Sequence, residues 1–179
     1  MAKTVLIPLE VSASDVRTRL ASFISSSDVE QGQLFSKDAL STTAGESEVY
    51  EIAQPATATL GEMWMAYTPE SVIVETATGT QYKVGDMDPR NFVNVAGIVF
   101  TGFKPQVDDK ILITADGFTG AIGGNTYAVA ADGQDKLVWG GSAISGLSFV
   151  LEKTSYITIG QTFGTHRVTA YQLRCVAVA

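Results

Sequence analysis

Residues 147–154 read Leu-Ser-Phe-Val-Leu-Glu-Lys-Thr, and the fold turns on how that stretch is read. Leu147, Phe149 and Leu151 alternate with Ser148, Val150 and Glu152. A period of two is that of a strand, with one set on a core face and the other on a face at least half wet. "SYITIG" (155–160) and "HRVTAYQLRCVAV" (166–178) follow as further strands. Working back toward the N-terminus, "KLVW" (136–139), "TYAVA" (126–130), "KILIT" (110–114) and "GIVFTGF" (97–103) have the same character. So do "SVIVETA" (71–77), "EMWMAYT" (62–68), "EVYEI" (48–52) and "QGQLF" (31–35). Asp132-Gly133, between two of these, is a hairpin signal in a loop longer than two residues. Short β segments with turn signals about every 8–12 residues predict a mostly β protein, a small barrel or a sandwich. There is no internal repeat and no low-complexity tract.

The N-terminal part reads differently. Val5-Leu6-Ile7-Pro8-Leu9 is extended, and Pro8 makes it a sheet edge or a free arm, because proline donates nothing to a ladder. In "SASDVRTRLASFISSSD", Val16, Leu20, Phe23 and Ile24 fall at helical spacing, and Ser12 with Asp15 resembles a capping box. The spacing predicts one short helix, roughly residues 14–25. The expected organisation is an N-terminal arm and helix over 1–27 and a β domain over 28–179. The polar run 78–91, rich in Gly, Asp and Pro, marks a possible subdivision.

The bulk numbers narrow the function classes. The chain has 179 residues, 12 bases and 19 acids, for a net charge of −7. That argues against a binder of nucleic-acid backbones, which needs a basic face, and against a protein of anionic membrane surfaces. The charge is uneven: residues 1–136 hold 18 acids and 9 bases, whereas 137–179 hold one acid, Glu152, and three bases, Lys153, Arg167 and Arg174. This reads as solvated surface, or as a basic end that meets an acidic partner or a neighbouring copy. The single cysteine, Cys175, permits no intrachain disulfide, and its neighbours Leu173 and Ala177 mark it as a small core residue. The opening "MAKTVLIPLEVSA" is not that of a signal peptide, since Pro8 and Glu10 interrupt its apolar run. No apolar stretch approaches the ~18 residues of a membrane helix. Synthesis in the cytoplasm as a soluble protein is the expectation.

Each constellation that could carry chemistry has a plainer reading beside it. Asp86 and Asp88, with Asn91, offer oxygens to calcium, but the further acids of a calcium loop are missing and Asp88-Pro89 is a common turn starter. Asp108-Asp109 and Asp116-Gly117 read as the two ends of the strand "KILIT". "TGAIGGNT" (119–126) lacks the Lys-Ser/Thr of a phosphate loop. His166, the one histidine, has no second zinc ligand nearby in sequence, and "GGSAISG" (140–146) is no nucleophile elbow. Trp64, Tyr67, Tyr127 and Trp139 are the aromatics of a sugar platform or of a core; alternation in "MWMAY" puts Trp64 on one side and Met63 and Met65 on the other. No cluster predicts catalytic residues, a metal or a cofactor.

The order of segments resembles a family. "DVEQGQLF", "ESEVYEIAQP", "EMWMAYTPE" and "DPRNFVNVAGIVFTGFKPQVDDKILITADGF" follow one another as in tailed-phage virion proteins that decorate and stabilise the capsid. The residues that carry the likeness include Gly32, Glu48, Val49, Tyr50 and Pro55, then Pro69, Glu70, Phe92, Asn94, Ala96 and Gly97. Asp108, Asp109, Thr114, Ala115 and Asp116 follow. The likeness runs over about residues 28–155 and takes in "SGLSFVLEKTSY". It departs at Asp108, where the family has glycine, and the N-terminal part does not match closely. The resemblance implies a head-stabilising, cementing role on the capsid surface of a bacteriophage virion and no catalytic residues.

On this reading the chain is a structural virion protein that is not an enzyme. It meets the major capsid protein, forms a homo-oligomer, and engages neither nucleic acid nor membrane. The contact residues expected are Val5, Leu6, Ile7, Pro8 and Leu9 of the N-terminal segment and Asp88, Pro89, Arg90 and Asn91 of the turn, with Arg90 as charged anchor. The rival readings are a head-fibre base or tail component, a carbohydrate-binding β module using Trp64 or Trp139, and a small hydrolase built on His166.

Overall fold

The structure, a computed structural model, describes residues 4–11, 19–42, 48–68, 73–75, 81–83, 89–161 and 164–178; at 73–75, 81–83, 91, 159–161 and 164–166 it describes the backbone. The architecture is mostly β, as the alternation predicts. The strands are β1 Leu6–Glu10, β2 Leu20–Ile24, β3 Leu34–Leu40, β4 Val49–Ala53, β5 Met63–Ala66, β6 Ile73–Glu75 and β7 Gln81–Lys83. They continue as β8 Phe100–Phe103, β9 Lys110–Thr114, β10 Phe118–Thr119, β11 Tyr127–Val129, β12 Leu137–Gly140, β13 Ser148–Gln161 and β14 Gly164–Ala177. Three single-turn 3-10 segments, Thr57–Thr59, Pro89–Asn91 and Ala115–Gly117, are the helical content among the described residues.

Two sheets share the chain. Five strands close on themselves in the order β2-β4-β3-β5-β8, with β2 and β4 parallel and the other pairs antiparallel. Seven strands form an open sheet in the order β1-β9-β14-β13-β11-β12-β10. β6 and β7 pair as a separate hairpin. The hairpin signal at Asp132-Gly133 joins β11 to β12, which are antiparallel, and Gly133 takes the left-handed φ of 67° that the turn requires.

The expected helix over 14–25 is not there. Residues 12–18, with Ser12, Asp15 and Val16, lie outside the described residues. Leu20, Phe23 and Ile24 belong to β2, which pairs β4 on one side and β8 on the other and so closes the ring. Four apolar residues satisfy a 3.6-residue period and a short strand almost equally. Long-range pairing decides between them, because an isolated helix of this length is marginal in water. As a strand, β2 sends Phe23 into the ring, where its centroid lies 4.7 Å from Phe35 and 5.1 Å from Trp64.

The core follows the alternation. Along β5, Met63 and Met65 join a large cluster that also holds Leu34 and Phe103 from the ring and Ile111, Phe149 and Leu173 from the open sheet. That cluster lies between the outer surface of the ring and one face of the sheet. Trp64 and Ala66 point the other way, into the ring with Phe23, Phe35 and Phe100. Trp139 stacks on Phe118 at 4.4 Å in the large cluster. Cys175 lies buried in the same cluster beside Leu173, and burial pushes its thiol up to about 12, so it stays a neutral core residue.

Candidate functional site

The N-terminal segment forms the edge of the open sheet. β1 pairs β9 with Leu6 opposite Ile113, Ile7 opposite Leu112 and Pro8 opposite Ile111. The Thr114 amide donates to the Val5 carbonyl at 3.0 Å. In an antiparallel ladder bonded pairs alternate, so Ile7 and Leu112 are the next bonded pair, and Leu6 and Pro8 turn their backbone groups outward. Pro8 thus sits where its missing N–H costs nothing and where it blunts an open edge. Of the five expected contact residues here, Val5 and Leu6 are buried, whereas Ile7 is 37% and Leu9 45% exposed. The segment is fastened at both ends. Lys110 Nζ meets Glu10 Oε2 at 2.8 Å. At the other end the Thr4 amide and hydroxyl both donate to Glu30 Oε2, at 3.4 and 3.3 Å.

Glu30 is the centre of a polar seam. It also takes Lys136 Nζ at 3.1 Å, and Lys136 donates in turn to the Asp116 carbonyl at 2.9 Å. Burial alone would raise the Glu30 carboxyl, but the Lys136 hydrogen bond and charge, with the two Thr4 donors, hold it below the usual carboxylate value. Next to it the Leu34 amide donates to the Asp135 carbonyl, and the Gln33 side-chain amide donates to the Asp135 carboxylate.

The expected turn contacts fall elsewhere. Pro89, Arg90 and Asn91 form a 3-10 turn that leads to the ring, with Pro89 and Arg90 half-buried; Asp86 and Asp88 lie outside the described residues. The two halves of the expected contact set therefore belong to different elements, a sheet edge and the turn before the ring.

Just after that turn the motif Phe92-x-Asn94-x-Ala96-Gly97 shows what its residues do. Asn94 is buried and exchanges both backbone bonds with Val29 at 2.9 Å. Its side-chain amide donates to the Val29 carbonyl at 3.0 Å and its Oδ1 accepts from the Thr68 hydroxyl at 2.7 Å. The Ala96 amide donates to Asp28 Oδ1 at 3.0 Å, and the Gly97 amide, at a left-handed φ of 75°, to the Ser25 carbonyl at 2.8 Å. The loop so pinned holds Val95 and Ile98 out to solvent, 55% and 61% exposed. The motif is legible in the sequence but the exposure of these two residues is not; the available signal is an apolar residue, Val95, inside a turn-forming Asn-x-Ala-Gly and another, Ile98, directly after it.

Beside the loop, at the end of the ring, lies a cleft of about 490 Å³. Its wall includes Phe35, Ile52, Pro55 and Gly97, and its charged lining residues are Glu51 and Asp135. Among the described residues no group of three or more His, Cys, Asp and Glu side chains could hold a metal ion. Trp64 and Trp139 are buried in different clusters and form no common platform. His166 is in β14 opposite Ile159, its side chain outside the described set. Asp108-Asp109 and Ala115–Gly117 bracket β9, as their sequence predicts; Asp108 has a φ of 74° where the resembled family has glycine. Among the described residues no helix is long and apolar enough to cross a membrane. No family model, no curated protein and no solved structure matches the chain.

Proposed function

We propose that this chain is a structural virion protein that binds the outer surface of a viral capsid and stabilises it, without catalysis. The observation that carries the reading is the loop Asn94–Ile98, which presents Val95 and Ile98 to solvent and is pinned to the body by six hydrogen bonds. A rigid apolar knob pays little ordering cost on docking, which suits a contact repeated over a lattice. The residues that do the pinning, Asn94, Ala96 and Gly97, are among those that carry the sequence likeness to capsid decoration proteins. Ile7 and Leu9, exposed on the edge strand, are the second apolar contact. The major capsid protein is the partner this reading requires.

Cosedimentation with capsid shells assembled without the protein tests it. The double variant Val95→Asp, Ile98→Asp is expected to bind at least about tenfold more weakly, a loss of roughly 1.4 kcal/mol, with an unchanged circular dichroism spectrum. A parent chain that leaves the shells bare, or a double variant that binds like the parent, would overturn the proposal.

A further inference from the structure

β13 and β14 run out of the sheet. β11 covers β13 over Ser148–Val150, and β9 covers β14 over Ala170–Arg174. Beyond these, from Ser155 to Gln161 and from Gly164 to Thr169, the two strands pair with each other and with no further described strand. A two-stranded ribbon is marginal by itself in water; this one is anchored at its base by Ile157 against Val5 and Ala170, and no other described strand pairs with either of its edges. On it Tyr156 is 49% exposed, with the Arg167 guanidinium stacked 3.9 Å from its ring centroid. Tyr and Arg are the residue types enriched where interfaces concentrate their energy, and this pair is already aligned.

Charge identifies the partner. The described ribbon carries one base, Arg167, and no acid, since Arg174 lies in the sheet and is paired with Asp108 and Glu152, whereas residues 1–136 carry twice as many acids as bases. Two ribbons side by side would set like charges together. A ribbon against the acidic body of another copy would not. The body offers a receptacle in the ring-end cleft, which has a mixed lining of polar residues such as Ser26 and Gln54 and apolar ones such as Phe35 and Ile52, a volume of about 490 Å³, and two acids, Glu51 and Asp135, as its charged lining. That volume is in the range of sites that enclose a ligand group.

We infer that the protein self-associates head to tail: the Tyr156–Arg167 face of one copy docks in the Glu51–Asp135 cleft of the next. Such a contact is heterologous, so it builds closed rings or open chains rather than an isolated twofold dimer. It is independent of the capsid reading and is measured with no capsid present. Sedimentation velocity of the full chain over a concentration series, in about 0.05 M and about 0.5 M salt, reads it directly. The parent is expected to gain mass with concentration, less so in high salt. Arg167→Glu and Glu51→Lys, both at exposed positions, are each expected to weaken association about tenfold or more. The double variant Arg167→Glu, Glu51→Lys restores the opposite charges and is expected to recover much of it. A parent that stays monomeric, single variants that associate like the parent, or a double variant no better than the singles would overturn the inference.

Discussion

Gly102 sits in β8 where two phenylalanine rings leave no room for a β-carbon. A methyl group there would lie 2.8 Å from Phe35 Cζ and 2.9 Å from Phe23 Cε2. Neither ring has space to retreat, since both are fully buried and packed on Trp64 and Phe100. Gly102→Ala is therefore expected to destabilise the fold by about 1–3 kcal/mol, the usual penalty of overpacking. Urea titration checks it: the midpoint should fall with the slope unchanged. Asp108 poses the opposite problem, a side chain where glycine is at home. Its φ of 74° is strained for an L-residue, and its bond to Arg174 at 3.1 Å is at the surface and worth little. Relief of strain and loss of that bond roughly offset, so Asp108→Gly should change stability by less than about 0.5 kcal/mol. Asp108→Val should cost about 1–3 kcal/mol, because a branched side chain tolerates that φ poorly. Thermal melts of the two variants side by side decide it; equal stability would contradict the strain argument. At this scale the sequence was readable where a residue's role is local. Alternation in "MWMAY" assigns Trp64 and the methionines to opposite sides, and they are found there. The closeness of Gly102 to Phe23 was hidden, because it depends on contacts across the ring.

Elements are joined here by a few polar ties, and Glu30 is the main one. It links Thr4, two residues before β1, the β2–β3 connection and Lys136, the residue before β12. Its carboxyl is held below its ordinary value of 4.5. A depressed carboxyl contributes stability that is fully present above the unfolded value and is lost as pH falls through the folded one. The gap in unfolding free energy between the parent and Glu30→Gln should thus be constant above about pH 5.5 and shrink as the solution is acidified below about pH 4.5. The group is partly exposed, so the gap should be about 1 kcal/mol or less. Denaturant titrations at a series of pH values test this; a gap that widens in acid would reverse the assignment. Most strands were legible as elements, because short apolar segments between turn residues carry their own signal. β2 was not, since its partners β4 and β8 are 25 and more residues away and Leu20, Phe23 and Ile24, taken with Val16, also fit a helix. "LSFVLEKT" and "SYITIG" read as two segments yet form one strand, β13. Their junction carries Lys, Thr and Ser, which resemble a loop but are ordinary on a strand with a wet face. The candidate contacts were legible only in part: the edge role of Pro8 is written in its chemistry, while the exposure of Val95 and Ile98 follows from bonds made by Asn94 to Val29, far back in the chain.

The molecule as a whole is coupled through one core. Met63 and Met65 of the ring lie in the same cluster as Ile111, Phe149 and Leu173 of the open sheet, and on the same short strand Trp64 fills the ring interior. The ring cannot open without baring the face of the sheet, and the sheet cannot leave without exposing the outer surface of the ring. Large apolar surface shared in this way makes unfolding cooperative, since partial unfolding would expose it at about 25 cal/mol per Å² with no compensating gain in chain entropy from the other half. The two tryptophans are natural reporters, one per half: Trp64 lies 5.1 Å from Phe23 inside the ring, and Trp139 lies 4.4 Å from Phe118 against the sheet. In Trp139→Phe the remaining fluorescence reports the ring; in Trp64→Phe it reports the sheet side. Each variant is expected to lose about 1–3 kcal/mol, as buried large residues do when trimmed. Within each, the fluorescence and far-ultraviolet circular dichroism transitions in urea should coincide. Were the ring and the sheet separate units, Trp64 and Trp139 would report different midpoints in the two variants, each offset from the circular dichroism curve, and the shared core would not be what holds the molecule together.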